Sequence, residues 1–274
     1  VIMDSSRIGN VEESAAGPRS QSVSSVLSNR FTWVTHEVLG YTSVLDSESL
    51  ALFPPEVQEG FYLCLPCPGE PVCSAREGND PDFFLFYLDV ITEIGIHLPF
   101  TNFQIQVLDH LRVAPSQIHP NGWAFMRAFE TLCQKLEIPC TCSLFFYFFT
   151  VYTGRSGKEP TERKGWVSFR GCKDRDSDRR LFSLFSESFK GFKNKFFKVA
   201  AVPGQHPFFL NSSGSSLNPW NFPLYWTSAH YDSPPAFYRT VKAWLSDSDA
   251  ASTAWILSCS DSGNLAPIAF YIQC

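Results

Sequence analysis

Asp89, in the apolar stretch FLFYLDV, is the first residue whose surroundings suggest catalysis. Nucleases and transposases bind Mg²⁺ through converging carboxylates, and one of these commonly follows apolar residues. Asp89, Thr92 and Glu93, however, fall at positions i, i+3 and i+4, which places them in one narrow polar stripe on a helix. We therefore expect Asp89 to be a polar residue on a buried helix and not a metal ligand.

His119 opens the stretch HPNGWAFMRAFETLC and is the second candidate, because a histidine can act as a general base. No partner for such a base lies nearby in the sequence. Pro120 or Asn121 is a suitable first residue of a helix, and polar and apolar residues after it recur on opposite helical faces. We expect His119 to accept backbone N–H donors where this helix begins.

Cysteines and one Asp-Ser-Gly triplet complete the candidates for catalysis or metal binding. Cys64, Cys67 and Cys73 supply three thiolates in a Pro/Gly-rich stretch, but no histidine follows at zinc-knuckle spacing. We interpret them as free cysteines in a surface loop over 64–81. Asp261 begins a triplet typical of retroelement proteases, yet too few residues follow it to build a barrel. We predict no catalytic residue, no metal and no cofactor.

Residues 155–198 are the one segment whose residue pattern still suggests a function after the candidates for catalysis and metal binding are set aside. They hold thirteen of the 22 Lys and Arg residues and six of the 27 Asp and Glu residues, although the chain as a whole carries a net charge of −5. Cations interleaved with Phe can contact nucleic acid, because cations neutralise phosphates and exposed rings stack on bases. The alternative is a sheet that buries Phe on one face and solvates Lys on the other. The candidate nucleic-acid-binding residues are Arg163, Lys164, Arg170, Arg175, Arg179, Arg180, Lys190, Lys193, Lys195 and Lys198.

The bulk composition bounds the class of protein. A hydrophobic content of 44% and 26 Phe residues predict a core packed mainly by large rings. No run of eighteen apolar residues is present, so we expect no membrane span. Nine cysteines and no visible signal peptide favour a reducing, intracellular compartment, with nucleus or cytoplasm left open.

Several helices are expected in the first half of the chain. Short helices are predicted at 35–40 and 46–53, the second ended by Pro54. Asp80 and Pro81 suit the first positions of a helix over DPDFFLFYLDVITEIGI, whose apolar residues wrap nearly all round. Thr101 and Gln104 have the spacing of a capping box. The run 142–153 is helix or strand, and its periodicity does not decide which.

Strands are expected in the second half. GWVSFRGC (165–172) predicts a strand with Trp166, Ser168 and Arg170 facing inward, and 192–202 predicts another. Shorter extended pieces are expected at 207–211 and 222–228.

The expected fold class is therefore α+β, with a mainly helical first half and a smaller basic part that contains short strands. We divide the chain into a disordered N-terminal segment at 1–30, a domain at 31–230 and a divergent, truncated tail at 231–274. The domain itself is helical over 31–153 and strand-containing and basic over 154–230. The initial Val suggests a fragment.

An ordered series of blocks in this sequence resembles a known family. The blocks are FTWVTHEVLGYTSVLDSESL, YLCLPCPGEPVCSAREGND, LPFTNFQIQVLDHLRVAPSQIHPNGWAFMRAFETLC, GWVSFR, LFSLFSESFKGFKNKFFKV and FPLYWT. Together they resemble the plant retrotransposon-derived domain described as "putative transposase, gypsy type", over roughly 31–228. The resemblance implies origin in a mobile element and carries no catalytic residues over to this chain.

Three hypotheses about function follow. The first is a non-enzymatic module that works through assembly, with itself or with other element-encoded proteins, or through nucleic-acid contact by residues 155–198. The second is a metal-dependent transposase or nuclease, which would need clustered carboxylates. The third is a decayed copy without function.

Overall fold

The computed structural model describes residues 33–51, 61–74, 83–155, 163–172, 181–182, 189–202, 222–232 and 235–261. The segment expected to be disordered, 1–30, lies outside these residues, as do Asp80, Pro81 and the extended piece expected at 207–211.

Helices occur in both halves of the described chain. They are α1 (His36–Leu39), α2 (Ser47–Ala51), α3 (Leu88–Thr92), α4 (Asn102–Leu111), α5 (Pro120–Lys135), α6 (Cys142–Phe148), α7 (Ala229–Asp232) and α8 (Asp247–Asp261). Short 3-10 helices lie at Pro115–Gln117, Pro235–Tyr238 and Lys242–Trp244.

Two small antiparallel sheets complete the fold. The strands are β1 (Phe61–Cys64), β2 (Phe83–Tyr87), β3 (Phe149–Arg155), β4 (Arg163–Gly171) and β5 (Phe196–Ala201). One sheet has the order β1-β5-β2, and the other is the β3–β4 hairpin. The α+β class is confirmed.

The division into a helical first half and a strand-containing second half is only partly correct. In the three-stranded sheet, β5 lies between two strands of the first half, with Val199 opposite both Leu63 and Phe84. The two halves therefore share one sheet. The sequence suggests a division because each half forms its local elements separately, whereas strand pairing joins residues more than a hundred positions apart.

The helix predicted over DPDFFLFYLDVITEIGI is wrong in its first part. Phe83–Tyr87 is a strand with all five residues buried, and only Leu88–Thr92 is helical. An apolar run that is buried on both faces shows no alternation, so its periodicity resembles that of a buried helix. Its aromatic content was the signal that favours a strand.

The run at 142–153 divides between both alternatives. Thr141 caps α6, its hydroxyl accepting from the N–H of Leu144 at 3.1 Å, and the chain enters β3 directly after Phe148. In β4, by contrast, the predicted facing, with Val167 and Phe169 on the outer side, is correct only for Trp166. Val167 and Phe169 are buried, Ser168 is half-buried and Arg170 is exposed, while Trp166 is buried as expected.

Two helix starts are confirmed in detail. Thr101 and Gln104 form a reciprocal capping box at the start of α4. His119 precedes α5, and its Nδ1 accepts from the N–H of Asn121 at 3.1 Å. Both interactions span no more than three residues, which is why sequence spacing is sufficient to find them.

The last described segment packs on the first half. The Thr141 hydroxyl donates to Asp249 of α8 at 2.8 Å, and the N–H of Thr240 donates to the Phe146 carbonyl at 3.1 Å. Ile256 of α8 is fully buried. Residues 222–228, expected to be extended, form no strand and run as bends into α7.

Aromatic rings fill the core, as the composition predicts. Among the described residues, ten of the twelve largest fully buried side chains are Phe. Phe100 stacks on Trp123 with centroids 5.1 Å apart, and Phe86 meets Trp123 edge-on at 5.3 Å.

Candidate functional site

The ten cations predicted from sequence separate into three groups in the structure. Arg175, Arg179 and Arg180 lie outside the described residues. Arg163, Lys164 and Arg170 lie on β4. The four lysines Lys190, Lys193, Lys195 and Lys198 precede or lie on β5.

Lys198, on the central strand of the three-stranded sheet, is held by a carboxylate. Its Nζ lies 2.7 Å from Oε2 of Glu70, and the two side chains are only 13% and 12% exposed. Glu70 also accepts from the N–H of Cys67 and the hydroxyl of Ser74. The ammonium additionally lies over the ring of Phe83, 4.3 Å from its centroid. Lys198 is therefore enclosed by the fold and is not available to a polyanion.

Lys195 pairs with Asp89, the residue first considered as a metal ligand. Its Nζ lies 3.2 Å from Oδ1 and 3.4 Å from Oδ2 of that carboxylate. Asp89 is buried and lies on α3, while half of Lys195 remains in contact with solvent. The carboxylate neutralises a neighbouring cation, which agrees with its interpretation as a polar residue on a helix.

Lys193 joins the turn before β5 to α1 and to the residues that directly follow it. It contacts Glu37 at 2.8 Å and the hydroxyl of Tyr41 at 2.7 Å, and lies over the rings of Tyr41 and Trp166. Burial opposes the charge of Lys193, but its hydrogen bonds to Glu37 and Tyr41 outweigh this and raise its pKa above the ordinary value. This lysine also serves the fold.

Arg170 and Lys190 differ from these three lysines. Both are exposed, and within the described parts of the chain neither has a carboxylate partner. The guanidinium of Arg170 lies over the exposed ring of Tyr152 on β3, 5.7 Å from its centroid. Of the ten predicted cations, these are the two with described side chains that remain open to a ligand.

Within the part of the chain that the structure describes, His119 makes the contacts of a helix start. Its ring meets Phe192 edge-on at 4.9 Å, and its Nδ1 is engaged by the backbone of α5. Asn121, next to it, accepts the N–H of Phe189 at 2.8 Å. The HPNG cluster therefore starts α5, and the hydrogen bond of Asn121 connects the chain before β5 to this helix.

Two of the three cysteines near Glu70, Cys64 and Cys73, are protected thiols. Burial raises the pKa of Cys64 to about 11 and that of Cys73 to about 12. Cys67 is exposed, and all three are free. Over the residues that the structure describes, no group of three or more His, Cys, Asp or Glu side chains could hold a metal ion.

Sequence reasoning missed a group of exposed rings near the end of the described chain. Phe237, Trp244 and Trp255 are 66%, 72% and 53% exposed, and Val241 is also exposed. We call residues 235–261 the exposed aromatic segment. The available signal was the spacing of large apolar residues within an otherwise small and polar stretch, which a prediction based on average polarity overlooks.

Three of the sequence blocks meet in the core. Trp226, from FPLYWT, packs 5.7 Å from Trp166 of GWVSFR and 6.4 Å from Trp33, between ring centroids. Gly165 has a φ of +93°, and a Cβ there would lie 2.6 Å from the Trp226 ring. Its close approach requires glycine. The blocks therefore encode contacts within the fold.

The central part of the chain also has a recognisable family signature. Residues 86–153 match the family model described as "Putative gypsy type transposon". This gypsy-type segment is a quarter of the chain and runs from within β2 to within β3. It confirms the resemblance to gypsy-type transposon proteins inferred from the blocks. No curated protein and no solved structure matches the chain.

None of the helices in the described ranges combines the length and the hydropathy that crossing a bilayer requires.

Proposed function

We propose that this chain derives from a gypsy-type retrotransposon and acts as a non-enzymatic module that associates with further copies of itself through the exposed aromatic segment. The observation that carries the proposal is the exposure of Phe237, Trp244 and Trp255 together in one segment. Trp is among the residues most enriched at the energetic centres of protein interfaces.

The apolar area exposed by these three rings is large enough to contribute substantially to a protein interface. Side chains of this kind bury roughly 150–250 Å² each when covered, so the three rings leave on the order of 400 Å² of apolar surface in water. A standard interface buries about 800 Å² per partner. The summed exposed area of the three rings is about half of that. A second copy is the chosen occupant because most soluble oligomers are symmetric assemblies of one chain.

The segment is firmly attached to the domain that presents it. Besides the contacts of Thr141 and Thr240, His110 of α4 contacts the Tyr238 carbonyl at 3.3 Å, and its ring packs against Phe146 at 4.6 Å. A surface held by several elements loses little conformational entropy on binding. This favours a specific interface over a loosely tethered tail.

The distribution of charged groups supports a non-enzymatic role. A metal-dependent nuclease needs converging carboxylates. Asp89 and Glu70 instead each form an ion pair with a lysine. Because no three such ligands cluster within the described residues, the enzyme hypothesis would depend on carboxylates outside them.

Sedimentation velocity on the full chain tests self-association. We expect the sedimentation coefficient to rise with concentration, because apolar association follows mass action. Replacing Trp244→Ser and Trp255→Ser together should weaken association by at least about tenfold, since single interface hot spots are worth about 2 kcal/mol or more. Tyr152→Ser is the matched control, because it removes an exposed ring from the β3–β4 hairpin.

Two results would refute self-association. One is a chain that stays monomeric over the whole concentration range. The other is association that persists at full strength in the double Trp variant, with urea unfolding showing that the variant is folded.

A further inference from the structure

The β3–β4 hairpin has two faces of opposite character. Its inner face consists of Phe149, Val151, Val167 and Phe169, all buried in the core. The outer face carries Thr150 opposite Arg170 and Tyr152 opposite Ser168 in the antiparallel register. These four outer residues are half-buried or exposed. The hairpin therefore presents a polar and aromatic face to solvent.

Tyr152 and Arg170 form the centre of this outer face. They are diagonal neighbours across the two strands, a separation that an aromatic ring and a long side chain can bridge. Tyr152 keeps 47% of its surface exposed although the Arg170 guanidinium lies over its ring. The flat ring of Tyr152 can stack on a base. Arg170, which lacks a carboxylate partner in the described residues, can contact the neighbouring phosphate.

The charge of the hairpin favours an anionic ligand. Residues 149–171 contain five Lys or Arg and two Asp or Glu residues, in a chain whose net charge is −5. Arg155 and Arg163 pair in the ladder next to the connection between the strands, and Lys164 follows on β4. The cations thus lie along the length of the two strands. A segment with this excess of positive charge attracts anions.

We propose that the outer face of the β3–β4 hairpin binds single-stranded nucleic acid, with a base stacked on Tyr152 and a phosphate contacted by Arg170. An unpaired strand fits this face because stacking on Tyr152 requires a base that is not covered by its neighbours in a duplex. The ribose hydroxyl has no assigned partner, so the same chemistry serves DNA and RNA. This surface is separate in sequence from the exposed aromatic segment, and the proposal does not depend on self-association.

Fluorescence anisotropy with the full chain and labelled single strands, oligo-dT and oligo-rU, tests this surface. Tyr152→Leu should weaken binding about tenfold through loss of stacking, while Tyr152→Phe should bind as the unmodified chain does. Arg170→Gln should reduce the slope of log affinity against log salt by about 0.7, the share of one phosphate contact. Lys242→Gln is the matched control, because it removes an exposed cation that lies outside the hairpin and outside the ten predicted cations, and it should change neither quantity.

The comparison of Leu with Phe at position 152 separates stacking from any effect on folding, and urea midpoints of all variants provide a second check. Absence of binding at low salt would overturn the proposal. So would equal affinity of the Phe and Leu variants, or an unchanged salt slope in Arg170→Gln. Tighter binding of a duplex than of a single strand would also overturn it.

Discussion

The cations of β4 and those around β5 come from one basic segment, yet the fold uses them differently. Lys193, Lys195 and Lys198 each meet a carboxylate from a distant part of the chain. Arg170, on β4, lies on an outer face beside Tyr152. A high density of charge in the sequence therefore does not by itself identify a binding surface. The partners available after folding decide which cations remain open to a ligand.

This difference changes how nucleic-acid binding should be tested. The sequence alone suggests replacing Lys193, Lys195 and Lys198 with Glu. In the structure those changes would place like charges beside Glu37, Asp89 and Glu70, so any loss of binding would include loss of stability. Substitutions on the outer face of the hairpin avoid this ambiguity.

The largest effect on stability is expected at Lys198. Lys198→Ala leaves the carboxylate of Glu70 enclosed without its cation, and breaking such a pair from one side typically costs about 3 kcal/mol or more. Urea unfolding measures the loss. Lys190→Ala, which removes an exposed lysine, is the control and should change little. A loss at Lys198 no larger than that of the control would mean that the ion pair does not support the sheet.

An intermediate effect is expected at Lys195. Its partner Asp89 is buried, but Lys195 is half in contact with solvent, so screening reduces the value of the pair to about 1 kcal/mol. Lys195→Ala should therefore rank between Lys198→Ala and Arg170→Ala in urea unfolding, with Arg170→Ala close to zero. An Arg170→Ala variant as unstable as Lys195→Ala would remove the distinction between the two groups of cations.

The smallest effect on stability is expected at Glu130, whose carboxylate accepts hydrogen bonds from neutral groups. Glu130 of α5 accepts from the Thr101 hydroxyl and from the Gln104 amide, and burial raises its pKa above 4.5 despite these hydrogen bonds. Because the folded state then holds the proton more tightly than the unfolded state, this group makes the free energy of unfolding decrease as the pH rises from 4.5 through the folded pKa.

Glu130→Gln tests this sign, because glutamine does not titrate. The stability of the unmodified chain relative to this variant should decrease as the pH is raised from acidic to neutral, as measured by urea unfolding at each pH. A relative stability that is independent of pH, or that increases over this range, would contradict the raised pKa.

Local interactions account for what could be predicted about the fold. The capping box at Thr101 and the helix start at His119 were found from spacing, because each interaction joins residues three positions apart or closer. The strand at Phe83–Tyr87 was predicted as helix because its distinguishing feature is its pairing with β5, far along the chain. The predicted inward facing of Arg170 is wrong for a related reason. Near Trp166, hydrophobic residues lie on both faces of β4, and the Trp166 ring is covered by Trp226 and Phe192, which are distant in sequence.

For the candidate surfaces, the sequence contained the residue types but not their environment. Arg170 was included among ten cations without any sign that it would differ from Lys198. The exposed rings of Phe237, Trp244 and Trp255 were overlooked, because apolar residues are ordinarily expected inside and only the packing of residues 235–261 shows which rings stay outside.

The sequence by itself determined the aromatic character of the core, the helix starts and the concentration of positive charge in residues 155–198. These properties depend on composition or on neighbours within a few residues. Only the tertiary structure decided which lysines are neutralised and which rings and cations face solvent. Lys195 and Asp89 are 106 positions apart, and Lys193 and Glu37 are 156 apart. Charge pairing and burial act through space, so they follow from the folded arrangement of the chain and not from its order.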